Sequence, residues 1–187
     1  EPLHSSLVEQ EEVSREFLKG SLISNEIFSK YEEPKQEKIS SLDIFKLNPS
    51  LPGLVILGPW RGNNQYLVEF QNALKEWQAI TGWPIFADPL SGISIDQPGF
   101  ICNWELLIGS GIDFPQKELQ ILRLGPMPAS RALEKFLMKK GGEQFLITEG
   151  DSRKLDPLNL SHQWHGGFVN WWKTFAEKTS ILQLPKT

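Results

Sequence analysis

The sequence predicts an α/β domain, Rossmann-like and three-layered, with a mostly parallel sheet. Three observations lead there. Short continuous apolar runs such as Gly53-Leu54-Val55-Ile56-Leu57-Gly58 are bounded by glycine, as expected of strands buried on both faces. Segments with apolar residues at helical spacing lie between these runs, and regular alternation of strand and helix implies parallel strands with right-handed crossovers. Finally, the apolar run 119–124 stops at Gly125, and Pro126 and Pro128 postpone the next helix to Ala129. A strand, a Gly/Pro turn and a helix in that order put the turn at the carboxyl edge of the sheet, where open α/β folds take up ligands.

The compact domain is expected over residues 50–187, opening at the turn Asn48-Pro49-Ser50-Leu51-Pro52. The first strand is 53–58. A helix follows over 62–80, with Leu67, Phe70, Leu74 and Trp77 on one face, and Gly82 suits its C-cap. Residues 83–88 make the second strand, with Pro84 near its start or on an edge. A loop covers 89–98 and a helix 99–108. The third strand is 119–124. Its helix, 129–140, repeats Ala132, Leu133, Phe136 and Leu137 at helical spacing. Gly141-Gly142 turns the chain into a strand over 144–148, and a last helix, 167–178, buries Phe168, Trp171, Trp172 and Phe175. Residues 1–49 differ. They are rich in Ser, Glu and Lys, and Tyr31-Glu32-Glu33-Pro34-Lys35-Gln36-Glu37-Lys38 has little to bury. They read as a charged, partly ordered connecting arm.

Bulk properties narrow the function. The 187 residues carry a formal charge of −4, which argues against a nucleic-acid partner. No run is long and apolar enough to span a membrane, and no charged-then-apolar leader opens the chain. Eleven Phe and seven Trp can fill a core. The single cysteine, Cys102, cannot form an internal disulfide; within Phe100-Ile101-Cys102 it reads as a buried, inert thiol, and a cytoplasmic location follows. The chain begins Glu1-Pro2-Leu3 without an initiator methionine, so it reads as part of something longer.

Candidate chemistry is sparse. Arg131 stands in the first turn of the helix after the Gly/Pro turn, where a guanidinium and free helical N–H groups suit a carboxylate or phosphate. A solvated surface charge is the alternative. Gly58-Pro59-Trp60-Arg61-Gly62 is a strand-to-helix turn, but it matches neither the dinucleotide fingerprint nor the P-loop. With Asp88 at the end of the second strand it leaves a stand-alone dinucleotide- or anion-binding module as the second reading. His162 and His165 lack companion ligands nearby and read as exposed residues beside a mobile Gly166-Gly167 turn; His4 is remote. Glu149, Asp151 and Asp156 form either a cation site or a polar turn, with Asp156 fixing the loop before Pro157. Gly150-Asp151-Ser152 fails the Gly-Asp-Gly metal motif of thiamine enzymes at its third position. No G-x-S-x-G or H-E-x-x-H occurs.

Several stretches, taken in order, resemble one family. They are the Glu1-Pro2-Leu3 start, Gly53-Leu54-Val55-Ile56-Leu57-Gly58, Gly82-Trp83-Pro84, Ala87-Asp88-Pro89-Leu90-Ser91-Gly92, Arg123-Leu124-Gly125-Pro126-Met127-Pro128-Ala129-Ser130-Arg131 and Leu155-Asp156-Pro157. Over residues 50–178 the chain is similar to the central domain of 2-succinyl-5-enolpyruvyl-6-hydroxy-3-cyclohexene-1-carboxylate synthase, the MenD family. The resemblance implies a thiamine-diphosphate-dependent transferase that decarboxylates 2-oxoglutarate and adds the succinyl unit to isochorismate in menaquinone or phylloquinone biosynthesis. It implies that thiamine diphosphate and Mg2+ (or Mn2+) lie between the amino- and carboxyl-terminal domains of a homo-oligomer, so that neither is expected on this segment and the segment alone should not turn over. One residue role carries across: Arg131 matches the basic position that contacts the carboxylate-bearing substrate. Departures are the long charged arm and the tryptophan-rich last helix. Trp60, Trp104 and Trp164 are accordingly expected to face other domains rather than a local core.

Overall fold

The computed structural model describes residues 47–111, 119–140, 142–156 and 161–179. Apart from residues 47–49, the expected arm over 1–49 lies outside the described residues.

The first strand, β1 (Gly53–Leu57), is buried at all five positions, as its unbroken apolar sequence requires of a central strand. A short 3-10 turn at Asn64–Tyr66 leads into α1 (Leu67–Thr81), which buries Phe70, Ala73, Leu74 and Trp77. The helix stops where expected: Gly82 adopts φ 65 and donates its N–H to the Gln78 carbonyl at 2.8 Å, a left-handed cap that costs glycine no steric strain. Strand β2 (Ile85–Ala87) begins just after Pro84, whose missing donor is harmless there. Helix α2 (Trp104–Gly109) is shorter than the expected 99–108. Residues 99–101 instead run beside the outer edge of β2, with Ile85 donating to the Gly99 carbonyl and Ile101 to that of Ile85. The backbone satisfies an edge strand there in preference to a helical turn.

Strand β3 (Gln120–Leu124) and helix α3 (Arg131–Lys140) follow the expected pattern, the helix starting two residues later than Ala129. Strand β4 (Gln144–Ile147) also follows it. The next element is a surprise. Residues Ser161–Trp164 form a fifth strand, β5, before helix α4 (Phe168–Thr179). All neighbouring strands pair in parallel, in the order β2-β1-β3-β4-β5. The sequence hides β5 because Ser161-His162-Gln163-Trp164 has no apolar alternation. It lies at the edge of the sheet and is only half-buried, so its place rests on backbone pairing to β4.

Alternating side chains of the strands feed two cores. On one face Val55, Leu57, Leu122, Leu124, Phe145 and Ile147 meet α1 and α4. There the Trp77 ring packs edge-on against Trp83, Trp171, Trp172 and Phe175 at 5.3–5.7 Å between centroids. On the other face Leu54, Ile56, Phe86 and Ile121 meet α2 and α3. Trp104 belongs to this second core, against expectation: its ring stacks on Phe86, and its indole N–H donates to the Ala87 carbonyl at 2.9 Å. Trp60 and Trp164 are half-buried and pack against the first core. Phe86 thus accounts for the Trp104 ring and Phe70 covers one side of Trp60, while Trp60 and Trp164 each keep part of their surface exposed. The result is the three-layer α/β/α arrangement that the alternation of elements demanded.

Candidate functional site at the carboxyl edge of the sheet

Strand order reverses direction between β1 and β3, the switch point at which open α/β sheets leave a crevice beyond their carboxyl ends. A cleft enclosing about 350 Å³, solvent at its mouth included, lies there. Its apolar floor comes from Leu57, Phe70 and Leu124, and its walls include Trp60, Arg61, Thr148, Glu149, Asp151 and Leu155. The two strand-end turns that frame it are clamped together. The Gly58 N–H donates to the Leu124 carbonyl at 2.9 Å, and the Gly125 N–H to that of Ile147 at 2.9 Å. A Cβ placed on Gly58 would stand 1.6 Å from the Pro126 carbonyl oxygen, so only glycine permits this approach.

This clamping removes the main support for a dinucleotide site at Gly58–Gly62. Such a site needs free N–H groups to cradle phosphate. Gly58 has spent its own on Leu124, and Trp60 donates to the Leu90 carbonyl at 2.8 Å. Trp60 folds onto Phe70 at 4.7 Å between centroids and fills part of the crevice. Asp88 is also occupied locally: its Oδ1 accepts from the Leu90 N–H at 2.8 Å, holding the Asp88-Pro89-Leu90-Ser91 turn.

The three acids after β4 separate into different tasks. Glu149 crosses to the start of α4, where it accepts the Phe168 N–H at 2.8 Å and so caps that helix from 19 residues away. Burial pushes its carboxyl above the usual glutamate range, against the opposing effect of this bond. Asp151 takes a two-pronged bond from Arg153, at 2.9 and 2.7 Å, which holds its carboxyl below the usual range; the charge of Arg61 adds to that effect. Pro157 lies outside the described residues; Asp156 itself is held by two partners, Arg123 and Ser161. It is buried, and one carboxylate oxygen accepts from Arg123 Nη1 at 2.9 Å while the other accepts the amide and hydroxyl of Ser161, both at 2.7 Å. Burial alone would raise its carboxyl; the Ser161 hydroxyl, the Arg123 guanidinium and the Ser161 amide outweigh this and lower it.

That ion pair was missed from the sequence, although one signal pointed to it. Arg123 is the lone charge in an otherwise apolar strand run, and a charge buried in a central strand requires a partner. Among the described residues no three of His, Cys, Asp and Glu gather as a metal site. His162 is exposed on β5, its ring 6.2 Å from Phe145. Gly166 bridges to Glu149, and Gly167 is buried, so the expected loose turn beside the histidines is instead hydrogen-bonded structure. His4 lies outside the described residues. Cys102 is exposed, not buried, because the Phe100–Cys102 stretch is not helical and α2 begins only at Trp104.

Arg131 is the first residue of α3 and is exposed. Before it, Ser130 is buried and accepts the Leu133 N–H at 3.3 Å, capping the helix. No hydrogen bond or ion pair engages the Arg131 guanidinium among the described residues.

No family model matches the chain. Curated relatives do. It is 57 % identical over 129 residues, 69 % of its length, to a 2-succinyl-5-enolpyruvyl-6-hydroxy-3-cyclohexene-1-carboxylate synthase of Prochlorococcus marinus strain MIT 9313. Identity to the synthase of strain NATL2A is 47 % over 91 % of the chain. To that of Synechococcus sp. strain CC9605 it is 42 % over 100 % of the chain. The chain belongs to this synthase family. It spans 22–30 % of the length of these three relatives. Within the synthase fold, the stretches that carry the resemblance are brought together by the sheet. Ser91, Leu124, Gly125, Pro126 and Leu155, from three of those stretches, all line the same cleft.

Proposed function

We propose that this chain is the central domain of a thiamine-diphosphate-dependent transferase that decarboxylates 2-oxoglutarate and adds the succinyl unit to isochorismate, on the way to menaquinone or phylloquinone. The identities to cyanobacterial synthases support the family part of this reading. The remaining domains of the same polypeptide hold the cofactor with Mg2+ or Mn2+, and the complete enzyme works as a homo-oligomer in the cytoplasm. When bound, thiamine diphosphate supplies the carbanion chemistry. The central domain serves as a scaffold and supplies one substrate contact.

The observation that carries this contact is Arg131, an exposed guanidinium at the head of a ten-residue helix, at the carboxyl edge of a parallel sheet. Helix N–H groups and guanidinium together favour a carboxylate, and the planar fork can hold both of its oxygens. A charge-assisted bond of this kind is worth about 1.5–3 kcal/mol. Arg131→Ala in the complete enzyme should therefore raise KM for isochorismate about 10- to 150-fold and leave KM for 2-oxoglutarate unchanged. Unchanged constants for both substrates would overturn the assignment.

A further inference from the structure

We infer that Ser130 is a positioning residue for Arg131, fixing the guanidinium at the height and direction that the anionic substrate requires. This rests on the reading of Arg131 given above.

The turn between β3 and α3 is held from below on two sides, by Gly58 donating to Leu124 and by Gly125 donating to Ile147. Pro126 presses its carbonyl against Gly58, so the turn has no room to sink towards β1. Beyond the prolines, Ser130 ties this fixed base to the helix by hydrogen bonds. Its N–H donates to the Pro128 carbonyl at 2.8 Å, closing the turn. Its carbonyl accepts the Glu134 N–H at 3.1 Å, the first bond of the helix. Its hydroxyl accepts the Leu133 N–H at 3.3 Å, and Leu133 is fully buried against Leu54 and Ile56. All three hydrogen-bonding groups of one buried serine thus set where the first turn of α3 starts and how it is rotated. Arg131 is the next residue, exposed and with no partner among the described residues, so nothing else on its own side chain restrains it. Loss of the hydroxyl frees the Leu133 N–H and lets the first turn fray, and the residue that moves with it is Arg131.

A double-mutant cycle in the complete enzyme tests this. Ser130→Ala should raise KM for the carboxylate-bearing acceptor about threefold to tenfold, with kcat and KM for the 2-oxo acid unmoved. In an Arg131→Ala background the same change should raise it no further. Ser130→Thr, which keeps the acceptor, should stay within about twofold of the wild type. If the alanine variant fails to fold, Ser130→Gly, which relieves part of the cost of a lost cap through the backbone, takes its place in the cycle. A wild-type KM in Ser130→Ala would overturn the inference, and so would an equal rise with and without Arg131. If Arg131→Ala alone had no effect, the fault would lie with the substrate reading rather than with Ser130.

Discussion

The Arg123–Asp156 pair offers the sharpest test of the fold. Both side chains are buried, at 1 % and 2 % exposure, and Asp156 receives three hydrogen bonds of 2.7–2.9 Å. Asp156→Ala removes all three and strands a buried guanidinium whose Nε and Nη2 have no partner among the described residues. Breaking such a pair from one side costs about 3–5 kcal/mol, a large part of the roughly 5–15 kcal/mol that keeps a domain folded. In urea, with a slope near 2 kcal/mol per molar, the unfolding midpoint of the chain should fall by roughly 2 M. The double variant Arg123→Met with Asp156→Leu should recover most of the loss, because apolar groups of similar volume avoid the desolvation cost that the ions incur. The pH dependence has a definite sign. Asp156 is lowered in the folded state, so its contribution is complete above the unfolded value of about 3.9 and disappears as pH falls through the folded one. The gap between wild type and Asp156→Ala should narrow only in strong acid. A midpoint for Asp156→Ala within about 0.5 M of wild type at neutral pH would refute the reasoning, as would a double variant as weak as the single one.

Three further outcomes follow from the same structure. Glu149 is raised by burial, so it favours folding in its protonated form; its stabilising contribution is complete below the unfolded value of about 4.3 and is lost as pH rises through the raised folded value. Glu149→Gln keeps an acceptor for the Phe168 N–H, and in thermal melts should gain on wild type as pH rises from 4 to 7 (both about); a flat difference would count against it. Gly58→Ala forces a methyl against the Pro126 carbonyl, which belongs to backbone and cannot swing aside, so circular dichroism melts should show a loss of about 2 kcal/mol or more. Cys102 is exposed and should be alkylated by iodoacetamide in the native chain at a rate close to that in urea; protection in the native state would contradict its placement.

How far the sequence could be read varies by element. β1, β3 and β4 were legible because a central parallel strand excludes water from both faces and must be apolar throughout. The helices α1, α3 and α4 were legible from a single apolar face, and Gly82 marked a helix end through a backbone conformation that other residues adopt at a cost. Arg131 was placed correctly at a helix start, since Pro126 and Pro128 leave no earlier one. The failures have a common cause. Cys102, Trp104 and Ser161–Trp164 were misread where the deciding partner is distant in the chain: the edge of β2, the ring of Phe86 and the backbone of β4.

By itself, then, the sequence determined the layers, the parallel sheet and the family, because burial on one or two faces leaves a periodic imprint and the turns at strand ends admit few residue types. Only the tertiary structure decided what the polar residues do. Glu149 became a helix cap, Asp151 a partner of Arg153, and Asp156 the counter-ion of a buried arginine. A carboxylate carries the same charge and shape wherever it stands, and which donor it meets depends on contacts that folding makes between remote residues.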